Sequence, residues 1–308
     1  MTIVLFATEV CLGLTLVSGL ALGLRALRRS GQGLEVRATR RLVCMSLILL
    51  LTAGVLALAV GILGHTFVVR VDALAAQALF DHRAPWLDRL MMLMSALGDG
   101  PERTAATILL ATFLVWRRRF RWALALGLVM VAAAVLTPVL KTTFHLARPS
   151  LLYSGADAFS FPSGHATSAA ALYLLLTWIV GRSTAGVGRV LFAALASAVV
   201  LLTALSRIYL GAHWLSDVLA GLALGSALGL AGVLAAAGGG GRSARDEAWH
   251  GAVIVAVLVG VALVLGPKAY AKAERLYAPY LNRPLNRVVD PGHLGGAPSH
   301  RIVPPPGV

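Results

Sequence analysis

The chain has 308 residues, 58% hydrophobic and only 13% charged, with a formal net charge of +14. Soluble domains carry about a quarter charged residues, and the deficit here is concentrated in apolar runs of about 20 residues, the length that crosses a bilayer core as a helix. That composition excludes an ordinary soluble domain. It also argues against a nucleic-acid partner, because the arginines sit in short clusters between apolar runs, where topology signals belong.

Eight spans are predicted in chain order, at 3–24, 42–63, 104–116, 122–140, 166–180, 190–205, 214–237 and 252–266. The first has no basic residue before it and carries Arg25, Arg28 and Arg29 after it. It is therefore expected to be retained, with its N-terminus outside, rather than cleaved as a signal peptide. Cys11 and Cys44 both fall inside apolar segments and read as buried thiols, not a disulfide. No CxxC, HExxH or zinc-type spacing occurs. Segment 67–97 mixes apolar residues with Asp72, Asp81, Arg83, Asp88 and Arg89, while Leu87, Leu90, Met91 and Met94 recur at helical spacing. It reads as a helix lying on the membrane or packed over the bundle. Trp86, Met91, Met92 and Met94 are alternatively candidates to line a groove for an acyl or isoprenoid chain. The third span is short unless the apolar stretch 86–97 continues it past Gly98-Asp99-Gly100-Pro101.

Arginine collects in four places: Arg25, Arg28, Arg29, Arg37, Arg40 and Arg41; then Arg117, Arg118, Arg119 and Arg121; then Arg182 and Arg189; then Arg242 and Arg245. If the spans alternate, all four loops share one face, and the positive-inside rule makes that face cytoplasmic. The glycine run 238–241 reads as a flexible cytoplasmic connector. After Gly266, proline and glycine accumulate, so an ordered start and a frayed tail are expected, with His293 and His300 as solvated tail residues.

Three polar clusters fall on the opposite, external face. The third is Ser206-Arg207-x5-His213-x3-Asp217. Residues four apart share a helix face, so Asp217 is placed to fix the tautomer of His213 and leave its other nitrogen free to attack an electrophile. Arg207 offers a planar fork for two phosphate oxygens. Alone, such a His–Asp pair can equally lock a helix end. The second cluster, Phe161-Pro162-Ser163-Gly164-His165, opens a span. Helix N-terminal amides with the Ser163 hydroxyl beside them make an anion cradle. Gly164 lets the backbone come close, and His165 emerges where it can protonate a leaving oxygen. By itself this is also an ordinary N-cap. The first cluster, Lys141-x6-Arg148-Pro149, adds two cations, and Lys141 is one of only three lysines, with Lys268 and Lys272. A snorkelling residue at a span end is its bland alternative. His145 reads as an incidental loop histidine.

In this order, on one face, the clusters resemble the three-part signature of the type 2 phosphatidic acid phosphatase superfamily, with every signature position filled between Lys141 and Asp217. The resemblance implies an all-α polytopic transmembrane bundle of about eight spans with a six-helix phosphatase core. The expected organisation is an extra N-terminal span and cytoplasmic loop over 1–41, the membrane phosphatase core over 42–237, and a cytoplasmic linker, last span and external Pro/Gly-rich tail over 238–308. It further implies hydrolysis of a lipid phosphate or diphosphate through a phosphohistidine. His213 would be the nucleophile, Asp217 its orienter and His165 the proton donor, while Lys141, Arg148, Ser163, Gly164 and Arg207 hold the phosphoryl oxygens. No metal and no cofactor is expected, since fixed cations take that part. The partners implied are a membrane lipid phosphate and the bilayer, with no nucleic acid. The location implied is a multi-pass cell membrane with the site facing the periplasm or exterior. The alternatives are a lipid phosphotransferase of the same family, a non-catalytic lipid-binding protein, and a transporter, against which the charges at one rim argue.

Overall fold

Leucine, alanine and valine dominate the predicted spans, and in hydrocarbon such runs satisfy their backbone by coiling into helices. The computed structural model describes residues 33–149, 159–184, 186–237 and 250–281. These form nine α-helices: α1 (Gly33–Leu63), α2 (Phe67–Asp81), α3 (Pro85–Leu97), α4 (Gly100–Trp116), α5 (Phe120–Phe144), α6 (Gly164–Ser183), α7 (Gly186–Tyr209), α8 (Leu215–Ala236) and α9 (His250–Leu281). The predicted span at 3–24 with Cys11 and the arginines that follow it, the 238–241 run with Arg242 and Arg245, and the tail with His293 and His300 lie outside the described residues.

Six of the described helices are long and apolar enough to cross a membrane: Ala38–Leu63, Phe120–Phe144, Gly164–Arg182, Gly186–Tyr209, Leu215–Ala236 and Gly251–Pro279. Each corresponds to one predicted run. The predicted span at 104–116 becomes α4, whose 17 residues fall just under that length. The stretch 86–97 does not extend it. The helix stops at Gly98, and Pro101 starts a new one in its first turn, so α3 is a separate element.

Burial ranks the helices. The most apolar window of α6 is 61% buried and that of α8 44%, against 17% for α7 and α9. α6 and α8 are thus the centre, and their neighbours turn Leu124, Leu191, Leu195 and Leu263 outward, as lipid-facing helices do. Glycines set how closely the two central helices lie. A Cβ at Gly225 would stand 2.0 Å from the Thr167 carbonyl oxygen, and one at Gly221 would stand 2.6 Å from that of Ser163. Small residues repeated every four positions let backbones touch in this way, and here they hold the N-termini of α6 and α8 side by side.

α3 covers the bundle at the same end. Met91 and Met92 are sealed in a core with Tyr209, Leu210, Ala269, Ala273 and Tyr277, whereas Trp86 is exposed. Met91 and Met92 therefore pack against α7 and α9 rather than line an open groove. At the far end the arginine turns gather. Arg40 lies 5.1 Å over the Trp178 ring, Arg121 donates to the Ala235 carbonyl at the end of α8, and Arg189 packs beside Gly181. α8 has 22 residues, about 33 Å of rise, and separates those turns from the polar clusters at its beginning.

Candidate active site

The loop between α7 and α8 is closed by one carbonyl. Arg207 O accepts from both Ala212 N and His213 N at 3.0 Å, and Gly211 turns the chain at φ +69°, a conformation that suits glycine. This returns His213 to the end of α7, beside Arg207. Helix α8 then begins with Trp214 at its N-cap, so His213 lies in the loop, not on the helix face that its spacing suggests. The pairing with Asp217 survives because Asp217 folds back over the helix start. Its Oδ2 accepts from Trp214 N at 2.8 Å and stands 3.6 Å from His213 Nδ1, with both side chains buried. Trp214 Nε1 donates to Ala147 O at 2.9 Å, which ties this turn to the loop carrying Arg148.

The other ring nitrogen, Nε2, lies 3.1 Å from Arg148 Nη1, which also donates to Ala212 O at 2.8 Å. Burial, and then the charges of Arg148, Lys141 and Arg207, hold the His213 imidazole well below the usual histidine range. The ring is therefore neutral at physiological pH, with a lone pair facing the cations.

Ser163 occupies the N-cap of α6 but makes no capping hydrogen bond. Its Oγ is buried and has no hydrogen-bond partner, while its N–H donates to Asp217 O at 2.9 Å. The Ser163 hydroxyl at this helix N-terminus therefore keeps its hydrogen-bonding capacity uncommitted. Gly164 starts the helix with only Thr137 near its Cα hydrogens. His165, next on α6, turns Nε2 toward Asp99 Oδ1 at 3.8 Å.

Arg207, 2% exposed, is fixed by Ser95 Oγ of α3, which accepts from its Nη1, and by the Tyr277 ring of α9, 5.7 Å from its Cζ. Lys141 stands in the last turn of α5, and its charge acts on both histidines. All eight predicted site residues thus converge at one end of the bundle. Among the described residues no three His, Cys, Asp or Glu side chains gather as a metal-binding group. His145 caps α5 in the left-handed region and packs edge-on against Phe159.

Sequence reasoning missed four supports. Ser95 and Tyr277 hold Arg207, and Lys272 holds Asp99 Oδ2 at 2.8 Å. Asp72 of α2, 2% exposed, accepts from Ser216 N at 2.7 Å and Ser216 Oγ at 2.8 Å, pinning the first turn of α8. The available signal for Asp72 was a carboxylate set between Val71 and Ala73 in the apolar part of α2. Nothing local marked Ser95 or Tyr277.

The PAP2 superfamily pattern matches residues 122–240. The chain is 36% identical over 146 residues to the decaprenylphosphoryl-5-phosphoribose phosphatase of Mycobacterium tuberculosis, covering 45% of this chain and 73% of that protein. It belongs to the PAP2 superfamily. Phosphatidylglycerophosphatase B of Bacillus subtilis is 29% identical over 165 residues, covering 52% of this chain and 81% of the relative. An undecaprenyl-diphosphatase of Sulfolobus acidocaldarius is 33% identical over 154 residues, covering 46% and 66%. The crystal structure of the transmembrane PAP2-type phosphatidylglycerolphosphate phosphatase of Bacillus subtilis superposes with a TM-score of 0.53 at 27% identity, over 60% of this chain and 93% of that one. This chain is a multi-pass membrane lipid phosphate phosphatase of the PAP2 family.

Proposed function

We propose that the protein hydrolyses a lipid phosphate or diphosphate through a phosphohistidine at His213, without a metal, at the outer face of the membrane. The observation that carries this is the neutral His213 ring with Nε2 3.1 Å from Arg148, beside a buried, unbonded Ser163 hydroxyl. A phosphoryl group seated among Arg148, Lys141, Arg207, Ser163 Oγ and the Gly164 amide has its charge met by fixed donors, which strengthen as charge develops in the transition state. His213 Nε2 attacks phosphorus, and Asp217 steadies the imidazolium character that results. The bond to the leaving oxygen breaks as His165 protonates it. Water then attacks the phosphohistidine and releases inorganic phosphate.

A place for the lipid chain adjoins the leaving-group side. A cavity of about 310 Å³ begins at Gly98 and Arg103 and runs between Leu172, Phe192, Val199 and Leu258, within the size range of ligand sites. Gly98 borders the His165 ring, so a chain in this cavity reaches the proton donor. The arginine turns at the opposite end support the outward orientation, since the positive-inside rule assigns such turns to the cytoplasm.

The test is phosphate release by the purified protein in detergent with chelator. The substrates are polyprenyl diphosphates of several chain lengths, phosphatidic acid, phosphatidylglycerophosphate and one water-soluble ester. His213→Ala should abolish release from every substrate that the parent hydrolyses. Near-normal rates in that variant, or loss of parent activity in chelator, would contradict the proposal.

A further inference from the structure

Asp99 stands at the N-cap of α4, where a carboxylate ordinarily accepts a hydrogen bond from the first turn of its own helix. Its side chain makes no such bond. Oδ1 instead faces His165 Nε2 at 3.8 Å, and Oδ2 is held by Lys272 Nζ at 2.8 Å. Both Asp99 and Lys272 lie outside the stretch 122–240 that matches the family pattern, and Lys272 arrives on α9.

Cations act on His165 from several elements: Arg207 on α7, Arg103 on α4, Lys141 on α5 and Arg148 in the loop after it. A ring that must keep a proton until a leaving oxygen takes it needs a counter-charge among those cations. The Asp99 carboxylate faces the ring with the required sign. Gly98 permits the approach, since a Cβ there would stand 3.2 Å from His165 Cδ2 and 2.8 Å from Thr203 Cγ2.

We propose that Asp99, aimed by Lys272, is a positioning residue that holds His165 as a protonated donor turned to the leaving group. As the P–O bond breaks, its electron pair stays on the leaving oxygen and the ring gives that oxygen one proton. The ring recovers a proton from the water that attacks the phosphohistidine. This rests on His165 being the proton donor, and it makes α9 part of the catalytic apparatus.

The experiment varies the leaving group in the full-length protein. An alkoxide leaving from a lipid monophosphate needs a proton, whereas p-nitrophenolate is stable enough to leave without one. Asp99→Asn should lower kcat/KM, which reports the steps through departure of the leaving group, about 10- to 100-fold on the lipid monophosphate and change it by less than about threefold on p-nitrophenyl phosphate. Lys272→Gln should show the same selectivity with a smaller loss. His165→Ala should show the largest selectivity, and adding Asp99→Asn to it should cost nothing further. Equal losses on both substrates in both single variants, no loss in either, or a further loss in the double variant overturns the role of Asp99. Absence of leaving-group selectivity in His165→Ala overturns the proton-donor reading itself, so the two failures are distinguishable.

Discussion

Gly225 lies nearly three turns into α8, yet replacing it with alanine should disable the enzyme. The new Cβ would sit 2.0 Å from the Thr167 carbonyl oxygen and 2.9 Å from Ala170 Cβ, where ordinary contact begins at 3.4 Å. The obstacle is backbone, so α6 and α8 must separate locally by about 1.4 Å to restore contact distance. The two helix starts are joined by the Ser163 N to Asp217 O bond of 2.9 Å, and that separation stretches it past any hydrogen-bond length. Ser163 and His165 then move away from His213 and Asp217. A misplacement of about 1 Å in a catalytic constellation costs on the order of 100-fold in rate, and overpacking costs about 1–3 kcal/mol of stability. Phosphate release and a thermal melt of Gly225→Ala in detergent measure both effects. Gly127→Ala is the control, because nothing lies within 4 Å of its Cβ position. A Gly225→Ala protein with parental kcat and melting point would refute the claim that close contact between α6 and α8 assembles the site.

Because burial and neighbouring cations depress His213, the ring stays neutral as pH falls through the ordinary histidine range. The acid limb of kcat/KM assigned to it should therefore have its midpoint below about 6.5. Arg148→Gln removes one of the depressing charges and should move that midpoint upward in a pH profile; a downward shift would contradict the assignment. Asp72→Ala leaves the Ser216 amide and hydroxyl buried without their acceptor. It should cost about 2–4 kcal/mol, read as a lower thermal midpoint, together with reduced turnover as the first turn of α8 loosens. An unchanged midpoint would show that Asp72 does not anchor that turn.

Hydrophobic run length carried most of the architecture, because the backbone of a membrane span has few alternatives to a helix. Every predicted run from residue 42 onward became a helix, and the arginine clusters within the described residues gathered at one end as their spacing implied. The site was legible because each cluster sits at the end of a span, so alternation alone brings Lys141, Arg148, Ser163, Gly164, His165, Arg207, His213 and Asp217 to one rim. What failed was local. The i, i+4 spacing placed His213 on a helix, whereas Asp217 recruits it from the preceding loop by folding back over Trp214. Methionine composition suggested a chain groove in α3, but α9 covers Met91 and Met92, a contact across about 180 positions of sequence that no window of residues contains. The roles of Ser95, Asp99, Lys272 and Tyr277 escaped notice for the same reason. Lys272 was visible as one of three lysines and Asp99 as part of a helix break, yet each of the four acquires its role only from a helix packed against it. The spacing of Gly221, Gly225 and Gly229 was visible in the sequence and marks close helix contact, although it does not name α6 as the partner.

The central claim is that phosphate passes through a covalent bond to His213. Rapid quenching of the enzyme during turnover of a hydrolysed lipid phosphate, followed by peptide mass mapping under alkaline conditions that preserve phosphohistidine, tests it most directly. The account predicts one phosphorylated peptide, modified at His213 and absent from His213→Ala. Phosphate found on another residue, or continued turnover by the His213→Ala protein, would contradict it.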